Sequence, residues 1–240
     1  MKVLAIIQAR MGSTRLPQKV MKELGNTNVI GFLCNRIRNS KYVDDIVVAT
    51  SVNEENIPLK NYLEEKNISV YCGSEENVLQ RFIDVIEKKQ PELVVRITGD
   101  NPFTCPYCID YLILSHILRK ADYSYLKDIP LGTSAEVVNA NCLKEINSFP
   151  LEKYHREHVT IYLKEHPEKY LINYQEAPEN LKNEKIRMTI DTPEDYQLVK
   201  YLVDNLGEKS EKLSLAEILE FVKTKPEIKQ WNAHIKQKER

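Results

Sequence analysis

The chain has 240 residues, of which 42% are hydrophobic and 29% charged, and its formal net charge at pH 7 is −1. These values are ordinary for a soluble globular protein with one sizeable core, and they give no reason to expect a nucleic-acid or membrane partner. The charge is unevenly distributed, because residues 1–41 carry eight Lys or Arg and one Glu, which is +7 locally and leaves −8 for the rest. A basic segment on a mildly acidic body suits a small anionic ligand.

Cellular location is predicted from the lack of targeting patterns and from the cysteines. No apolar run reaches the length of a membrane span, and the chain opens with a strand pattern instead of a charged and then apolar leader. The five cysteines are odd in number and scattered through apparent core elements: Cys34, Cys72, Cys105, Cys108 and Cys142. Free thiols in a reducing compartment account for them, and we expect a cytoplasmic protein.

The first half of the chain alternates strand and helix patterns. Apolar runs predict strands over 3–7, 45–51, 68–71 and 93–98, and helical periodicity predicts helices over about 28–40, 54–66, 75–89 and 106–119. Such alternation requires right-handed crossovers and predicts a mostly parallel sheet covered on both faces. The first strand is apolar without alternation, which indicates a central position.

The pattern changes in the second half. Strands are predicted over 123–126, 135–139, near 170–174 and over 186–190, with helices over about 152–165, from Pro193 onwards and over 213–222. This half resembles an inserted lobe that returns to the main sheet. Residues 223–240 carry six Lys or Arg and two Glu, which predicts a solvated helix or a partly ordered tail.

The loop after the first strand carries the strongest functional signal. It has three cations within ten residues and small residues between them: Arg10, Arg15 and Lys19, with Gly12, Ser13 and Thr14. Fixed positive charges, and main-chain N–H groups that small side chains leave accessible, suit the phosphates of a nucleoside triphosphate. The loop is neither a Walker loop nor a dinucleotide fingerprint. A solvated basic loop without a ligand is the alternative.

Two carboxylates follow predicted strands. Asp100 lies in Thr-Gly-Asp-x-Pro after the strand over 93–98, and Asp191 opens Asp-Thr-Pro-Glu-Asp after the strand over 186–190. Ligands of parallel sheets bind outside the carboxyl ends of the strands, so both residues are candidates to hold Mg²⁺ together with phosphate oxygens and water. A simple turn at Asp100 and a helix start at Asp191 are the alternatives.

Residues 7–19, Ile-Gln-Ala-Arg-Met-Gly-Ser-Thr-Arg-Leu-Pro-x-Lys, resemble the opening of the sugar-acid cytidylyltransferases, specifically the spore-coat polysaccharide branch of the acylneuraminate and Kdo cytidylyltransferase family. The resemblance covers about residues 2–205, with Gln18 where the family usually has glycine. It implies an α/β nucleotide-diphosphosugar transferase fold, Rossmann-like, with three layers and a mixed, mostly parallel central sheet.

The resemblance also implies roles for individual residues. Arg10, Lys19 and Asp100 are expected to be catalytic, and Asp100 and Asp191 to be the metal ligands. The expected nucleotide-binding residues are Ala9, Arg10, Gly12, Ser13, Thr14, Arg15 and Lys19, with Ser74 and Arg81 from the Gly-Ser-Glu-x-x-Val-Leu-x-Arg segment.

Glu136, and Arg156 and His158 of the Arg-Glu-His-Val-Thr stretch, are expected to border the acceptor. A helix cap at Ser74, a surface Arg81 and a structural His158 are the alternatives.

The implied reaction is the attack of a sugar oxygen on the α-phosphorus of CTP, which gives a CMP-activated sugar for surface-polysaccharide synthesis and pyrophosphate. A nucleotidyltransferase domain over 1–206 is expected, with a nucleotide half over 1–120, an acceptor lobe over 121–185, a return to the sheet over 186–206, and a helical extension over 207–240. A homodimer is a further expectation. Alternatives are another nucleotide with a sugar phosphate, a glycosyltransferase, or a non-catalytic binding module.

Cys105-Pro-Tyr-Cys108 spells a glutaredoxin-like redox pair ahead of a predicted helix. Redox motifs of this type follow the first strand of a small βαβ domain, whereas this one follows a fourth strand and a Gly-Asp loop. We therefore treat redox activity as a minor alternative.

Overall fold

A computed structural model describes residues 1–182 and 186–236. Its first half contains β1 (Val3–Gln8), β2 (Glu23–Leu24), β3 (Thr27–Asn28), α1 (Val29–Ile37), β4 (Asp45–Ser51), α2 (Ile57–Glu65), β5 (Ser69–Gly73), α3 (Val78–Lys89), β6 (Leu93–Thr98) and α4 (Pro106–Arg119). The second half contains β7 (Tyr123–Lys127), β8 (Glu136–Asn139), α5 (Ala140–Asn147), α6 (Lys153–His158), α7 (Ile161–Glu165), β9 (Ile172–Glu176), α8 (Pro193–Leu206) and α9 (Leu215–Thr224).

Seven strands form one mixed sheet in the order β5-β4-β1-β6-β8-β7-β9. β1 pairs in parallel with β4 and β6, and β8 runs antiparallel to β6 and β7. Ile7 of β1 faces one apolar core and Ile6 faces the other, because successive side chains of a strand point to opposite faces. Helices α1, α4, α8 and α9 cover the first face, and α3, α5 and α7 cover the second. The predicted three-layer α/β fold with a central β1 is confirmed.

The prediction of a strand over 186–190 is wrong. In this segment Arg187 forms only an isolated bridge with Leu131. The amide of Met188 donates to the carbonyl of Leu131 at 2.7 Å, and the amide of Ile190 donates to the carbonyl of Asp100 at 2.8 Å. Both acceptors belong to loops, so the apolar run crosses the ends of the strands instead of joining the sheet. The expected end of the acceptor lobe, at residue 185, lies outside the described residues.

The predicted helix over 152–165 is interrupted at Val159. This residue has a φ of 57°, which a β-branched side chain rarely adopts, and its side chain is fully buried. The break separates α6 from α7. It places His158 and Thr160 on either side of a sharp change in chain direction.

The chain after α8 packs partly on the main core, whereas residues 223–236 are mostly exposed, in keeping with the predicted solvated helix or partly ordered tail over 223–240. Ile218 and Leu219 of α9, and Ile228 in the turn after it, are buried in the same apolar cluster as β1. Arg36 of α1 is fully buried and donates to the carbonyls of Ser210 at 3.0 Å and Leu213 at 2.9 Å. The last four residues of the predicted tail, 237–240, lie outside the described residues.

The outer side of α4 and the start of the edge strand β9 expose large apolar side chains, including Tyr107, Leu114, Leu118 and Leu171. Exposed apolar side chains beside an unpaired edge are typical of contact surfaces, and the homodimer stays a prediction. Over residues 1–182 and 186–236, none of the helices has both the length and the apolar character to cross a membrane.

Replacing Ile228 with alanine tests the packing of the C-terminal segment. Because the side chain is 1% exposed, we expect Ile228→Ala to lower the free energy of unfolding by about 2–5 kcal/mol in urea denaturation. Glu227→Ala, at an exposed neighbouring position, is the matched control and should change it by less than about 0.5 kcal/mol. Equal stabilities of the two variants would show that the segment does not pack.

Candidate active site

A cleft of about 550 Å³ opens over the carboxyl ends of β1 and β6. A second cavity of about 460 Å³ continues from it toward β7 and β8. The side chains that border both are Gln8, Arg15, Thr98, Asp100, His158 and Asp191. The two cavities therefore form one site with two halves, at the edge of the sheet where ligands of parallel α/β folds bind.

The loop after β1 is held in a tight conformation. The carbonyl of Met11 accepts from the amides of Ser13 at 2.9 Å and Gln18 at 3.0 Å. Gln18 has a φ of 55°, in the left-handed region that favours glycine, which gives a physical reason for the glycine usual at this position in the resembling family. A Cβ atom on Gly99 would lie 2.8 Å from the Cβ of Ala9, so glycine allows the two strand ends to approach closely.

Lys19 lies between the two predicted metal ligands. Its Nζ atom is 2.6 Å from Oδ2 of Asp100 and 3.0 Å from Oδ1 of Asp191. Burial lowers the pKa of Lys19, but the two carboxylates outweigh it and raise the pKa overall. Burial likewise raises the pKa of Asp191, and the charges of Lys19, Arg15 and Arg187 lower it overall. The lysine is therefore charged at neutral pH.

Asp191 is fixed by residues behind the cleft. Its Oδ1 also contacts Arg15 at 3.0 Å, and its Oδ2 accepts from Arg187 at 2.6 Å. Arg187 in turn donates to Asp195 at 2.9 Å, and Asp195 is fully buried. The Oδ2 atom of Asp195 accepts from the amides of Asp191 at 3.0 Å and Thr192 at 3.1 Å, so Asp195 at the start of α8 holds the backbone of Asp191 while Arg187 holds its side chain.

Glu75 and Arg81 line the far end of the larger cavity. Arg10 contacts Glu75 at 2.7 Å, and Arg81 donates to the carbonyl oxygens of Ser74 and Glu75. Of the six buried side-chain polar atoms that lack a hydrogen-bond partner within the described residues, two lie here: Oε2 of Glu75 and Nε of Arg81. Both side chains line the cavity. A ligand that both donates and accepts at this point would satisfy them.

Glu136 organises the smaller cavity. Its carboxylate accepts from four side chains: Arg96 at 2.5 Å, Tyr123 at 2.5 Å, Thr160 at 2.8 Å and Lys164 at 3.0 Å. Burial raises the pKa of Glu136, but the cations Arg96 and Lys164 outweigh it and hold the pKa far below its usual range. With four donors on two oxygens, Glu136 orients its neighbours more readily than it binds a further hydroxyl.

The structure brings most of the expected residues together. Ala9, Arg10, Gly12, Ser13, Thr14, Arg15, Lys19, Arg81, Asp100, His158 and Asp191 line the larger cavity, and Glu136 lines the smaller one. Ser74 and Arg156 are not among the lining residues. The hydroxyl of Ser74 accepts from the amide of Asn77 at 3.1 Å, and the Nε of Arg156 donates to the carbonyl of Leu151 at 3.3 Å. Both contacts are local, and the expected roles of these two residues stay predictions.

Six residues that line the two cavities or support Asp191 from behind were not identified from the sequence: Gln8, Glu75, Arg96, Lys164, Arg187 and Asp195. Arg96 and Arg187 had a usable signal, because each is a lone charge in an otherwise apolar run. A buried cation requires an anionic partner, here Glu136 for the first and Asp191 with Asp195 for the second.

Cys105 caps α4 and lies outside the lining of both cavities. Its Sγ atom accepts from the amide of Cys108 at 3.3 Å, and both thiols are buried. Hydrogen bonding to Cys105 and burial raise the pKa of Cys108. The pair therefore occupies a structural position at the start of a core helix.

The residues present fit a divalent cation. Oxygens of Asp100 and Asp191 both lie within 3.0 Å of one positively charged nitrogen, so a single cation can reach both. Two carboxylates, completed by phosphate oxygens and water, are a usual donor set for Mg²⁺. Among the residues that the structure describes, no group of three or more His, Cys, Asp or Glu is arranged for a metal, so this carboxylate pair is the candidate.

Comparisons with known proteins identify the family. The sequence model of the family described as cytidylyltransferase matches residues 4–238, and so includes C-terminal residues beyond the resemblance over 2–205. The spore coat polysaccharide biosynthesis protein SpsF of Bacillus subtilis is 41% identical over 230 residues, which are 94% of this chain and 95% of that protein. A 3-deoxy-manno-octulosonate cytidylyltransferase of Christiangramia forsetii is 27% identical over 60% of this chain and 58% of its own.

Two solved structures are also similar. A cytidylyltransferase of Leptospira borgpetersenii superposes with a TM-score of 0.89 at 30% identity, over 99% of this chain and 100% of its own. A CMP:2-keto-3-deoxy-manno-octonic acid synthetase complexed with CTP has a TM-score of 0.68 at 14% identity, over 86% of this chain and all of its own, and shares the fold. The chain belongs to the cytidylyltransferase family and is a nucleotidyltransferase.

Proposed function

We propose that the protein transfers CMP from CTP to a sugar-acid acceptor, giving a CMP-activated sugar for surface-polysaccharide synthesis and pyrophosphate. The observation that carries the proposal is the contact of Lys19 with both Asp100 and Asp191 where a nucleotide half and an acceptor half of one cleft meet. The surface-polysaccharide role draws on the printed name of the Bacillus subtilis relative, and the acid acceptor on the charges of the smaller cavity.

In this proposal Arg10, Arg15 and Lys19 bind the triphosphate. Each is paired with a carboxylate in the structure, so phosphate binding exchanges one anionic partner for another. The bond from the acceptor oxygen to the α-phosphorus forms as the bond to the leaving pyrophosphate breaks. The three cations hold the negative charge that develops on the pyrophosphate, and fixed charges of this kind are often the largest contribution to catalysis.

Asp100 and Asp191 would hold Mg²⁺. When bound, the ion neutralises charge on the phosphates and draws electron density from the α-phosphorus. The chain's own part is to keep the two carboxylates close to one point, and Arg187 does this for Asp191 from behind the cleft.

Glu75 and Arg81 are suited to select the base. Cytosine donates from its exocyclic amino group, whereas a carbonyl oxygen stands at that position in thymine and uracil. The acceptor Oε2 of Glu75 and the donor Nε of Arg81, both buried without partners among the described residues, match a ring that donates at one edge and accepts beside it. Uracil would face the carboxylate of Glu75 with a second acceptor, so we propose that CTP is preferred over UTP.

The charges of the smaller cavity favour an anionic acceptor. Away from the shared border, where Arg15, Asp100 and Asp191 lie, Glu136 neutralises one of its two cationic neighbours, Arg96 and Lys164, and leaves one positive charge beside this part of the cavity. A carboxylate on the sugar would satisfy that charge. Glu136 then acts as a positioning residue, and Arg96 and Lys164 as the groups that contact the acceptor.

Nucleotide-dependent thermal stabilisation tests the nucleotide assignment. A ligand at 100 times its dissociation constant stabilises the folded state by about 2.7 kcal/mol. We expect CTP with Mg²⁺ to raise the melting temperature more than CTP alone, and more than UTP, ATP or GTP with Mg²⁺. Equal shifts with CTP and UTP would contradict the role of Glu75 and Arg81, and no shift with any triphosphate would contradict the phosphate loop.

Lys19→Ala should lower kcat by about 100-fold or more, because it removes one charge that stabilises the leaving pyrophosphate. Pyrophosphate release under saturating CTP measures this effect. Lys22→Ala is the matched control, since Lys22 lies on the same segment with its Nζ over the ring of Tyr196 at 5.3 Å, outside both cavities. Activity of Lys19→Ala within a few-fold of the control would refute the assignment.

A further inference from the structure

We propose that Asn232, in the C-terminal segment 225–236, is a positioning residue for Asp191. The inference rests on the proposed function, in which Asp191 is a metal ligand. Asn232 does not line either cavity, and it is 41 positions from Asp191 in the sequence. Its connection to the cleft is made by hydrogen bonds through two intermediate residues.

Asn232 is 1% exposed and uses its amide nitrogen as a double donor. The Nδ2 atom donates to the carbonyl oxygen of Arg187 at 3.0 Å and to Oδ1 of Asp195 at 2.8 Å. One side chain from the C-terminal segment therefore links the backbone of Arg187 to the carboxylate of Asp195.

The two residues that Asn232 binds both contact Asp191 from behind the cleft. Arg187 donates to Oδ2 of Asp191 at 2.6 Å, and Asp195 accepts from the amide of Asp191 at 3.0 Å. With Oδ2 held from behind, Oδ1 is directed into the cleft, where it contacts Lys19 and Arg15. Asn232 thus contacts the residues that hold Oδ2 and the backbone of Asp191, while Oδ1 faces the cleft.

A neutral donor suits this position electrostatically. Arg187 lies between two carboxylates, Asp191 and Asp195, and its single charge is shared between them. A cation at position 232 would pair with Asp195 and release Arg187 from it, whereas an amide adds hydrogen bonds without changing the charge balance. Removing the amide leaves Asp195, which is fully buried, short of one donor. Loss of a residue that orients a metal ligand typically costs 10–100-fold in metal affinity or activity.

The test measures metal binding without turnover. Mn²⁺ is titrated into the full chain with α,β-methylene-CTP, which cannot react, and free Mn²⁺ is followed by electron paramagnetic resonance. We expect Asn232→Leu and Asn232→Ala, which both remove the donors but leave different volumes, to weaken Mn²⁺ binding to a similar extent, by about 10-fold or more. In turnover, the apparent KM for Mg²⁺ should rise, while the KM for the acceptor stays within two-fold.

Ile228→Ala is the matched control for a purely structural role. Ile228 lies in the same segment and packs in the apolar core, so its truncation lowers stability without removing a donor from Asp195. We expect the control to bind Mn²⁺ with wild-type affinity. If the Asn232 variants lose stability but also keep wild-type Mn²⁺ affinity, Asn232 only anchors the segment and the proposal is overturned. Asn232→Ser, which retains one donor, should show an intermediate loss, and wild-type affinity of this milder variant would also overturn it.

Asp191→Asn separates this inference from the proposed function. If Asp191→Asn leaves Mn²⁺ affinity unchanged, Asp191 is not a metal ligand and the proposed function fails at that residue. If Asp191→Asn weakens binding and the Asn232 variants do not, the inference alone fails.

Discussion

The cleft depends on the balance of charge around Lys19. One ammonium contacts two carboxylates that come from loops far apart in the sequence, Asp100 after β6 and Asp191 before α8. Buried or half-buried charges are tolerated only when they are paired, and this cluster pairs them with one another in advance of a ligand. Of the proposed ligands, the triphosphate is a negatively charged partner for Lys19, and the divalent cation is a positively charged partner for the two carboxylates. Each can therefore replace an existing contact without leaving an isolated charge.

The fold brings these charged residues together because the ends of several elements meet at one edge of the sheet. β1 and β6 are adjacent and parallel, so the loops after them meet at the same edge. The segment before α8 crosses that edge, and the amide of Ile190 is tied to the carbonyl of Asp100 at 2.8 Å. The C-terminal turn closes the arrangement from behind through Asn232. Hydrogen bonds and ion pairs between residues from nearly the whole chain thus meet around the proposed active site.

Predictions from the sequence succeeded where the signal is local. The uninterrupted apolar run of β1 is visible in one short stretch, and the structure confirms it as a central strand. The cations after β1 and Asp100 after β6 are equally local in the sequence; the structure brings them to one cleft, and their roles in binding stay predictions. The prediction of the fold failed where long-range hydrogen bonding decides. Residues 186–190 have the composition of a strand, yet their backbone groups pair with loops. Asn232 carries no sequence signal because its partners are distant along the chain.

The most direct test of the account is the identity of the product. The protein is incubated with Mg²⁺ and CTP, and with 3-deoxy-manno-octulosonate, N-acetylneuraminate, neutral sugars and sugar 1-phosphates in turn. Mass spectrometry and pyrophosphate release are followed together. The account predicts a CMP-sugar and an equal amount of pyrophosphate with a sugar acid. Formation of a CDP-sugar from a sugar 1-phosphate, or the absence of product with every acid acceptor, would contradict it.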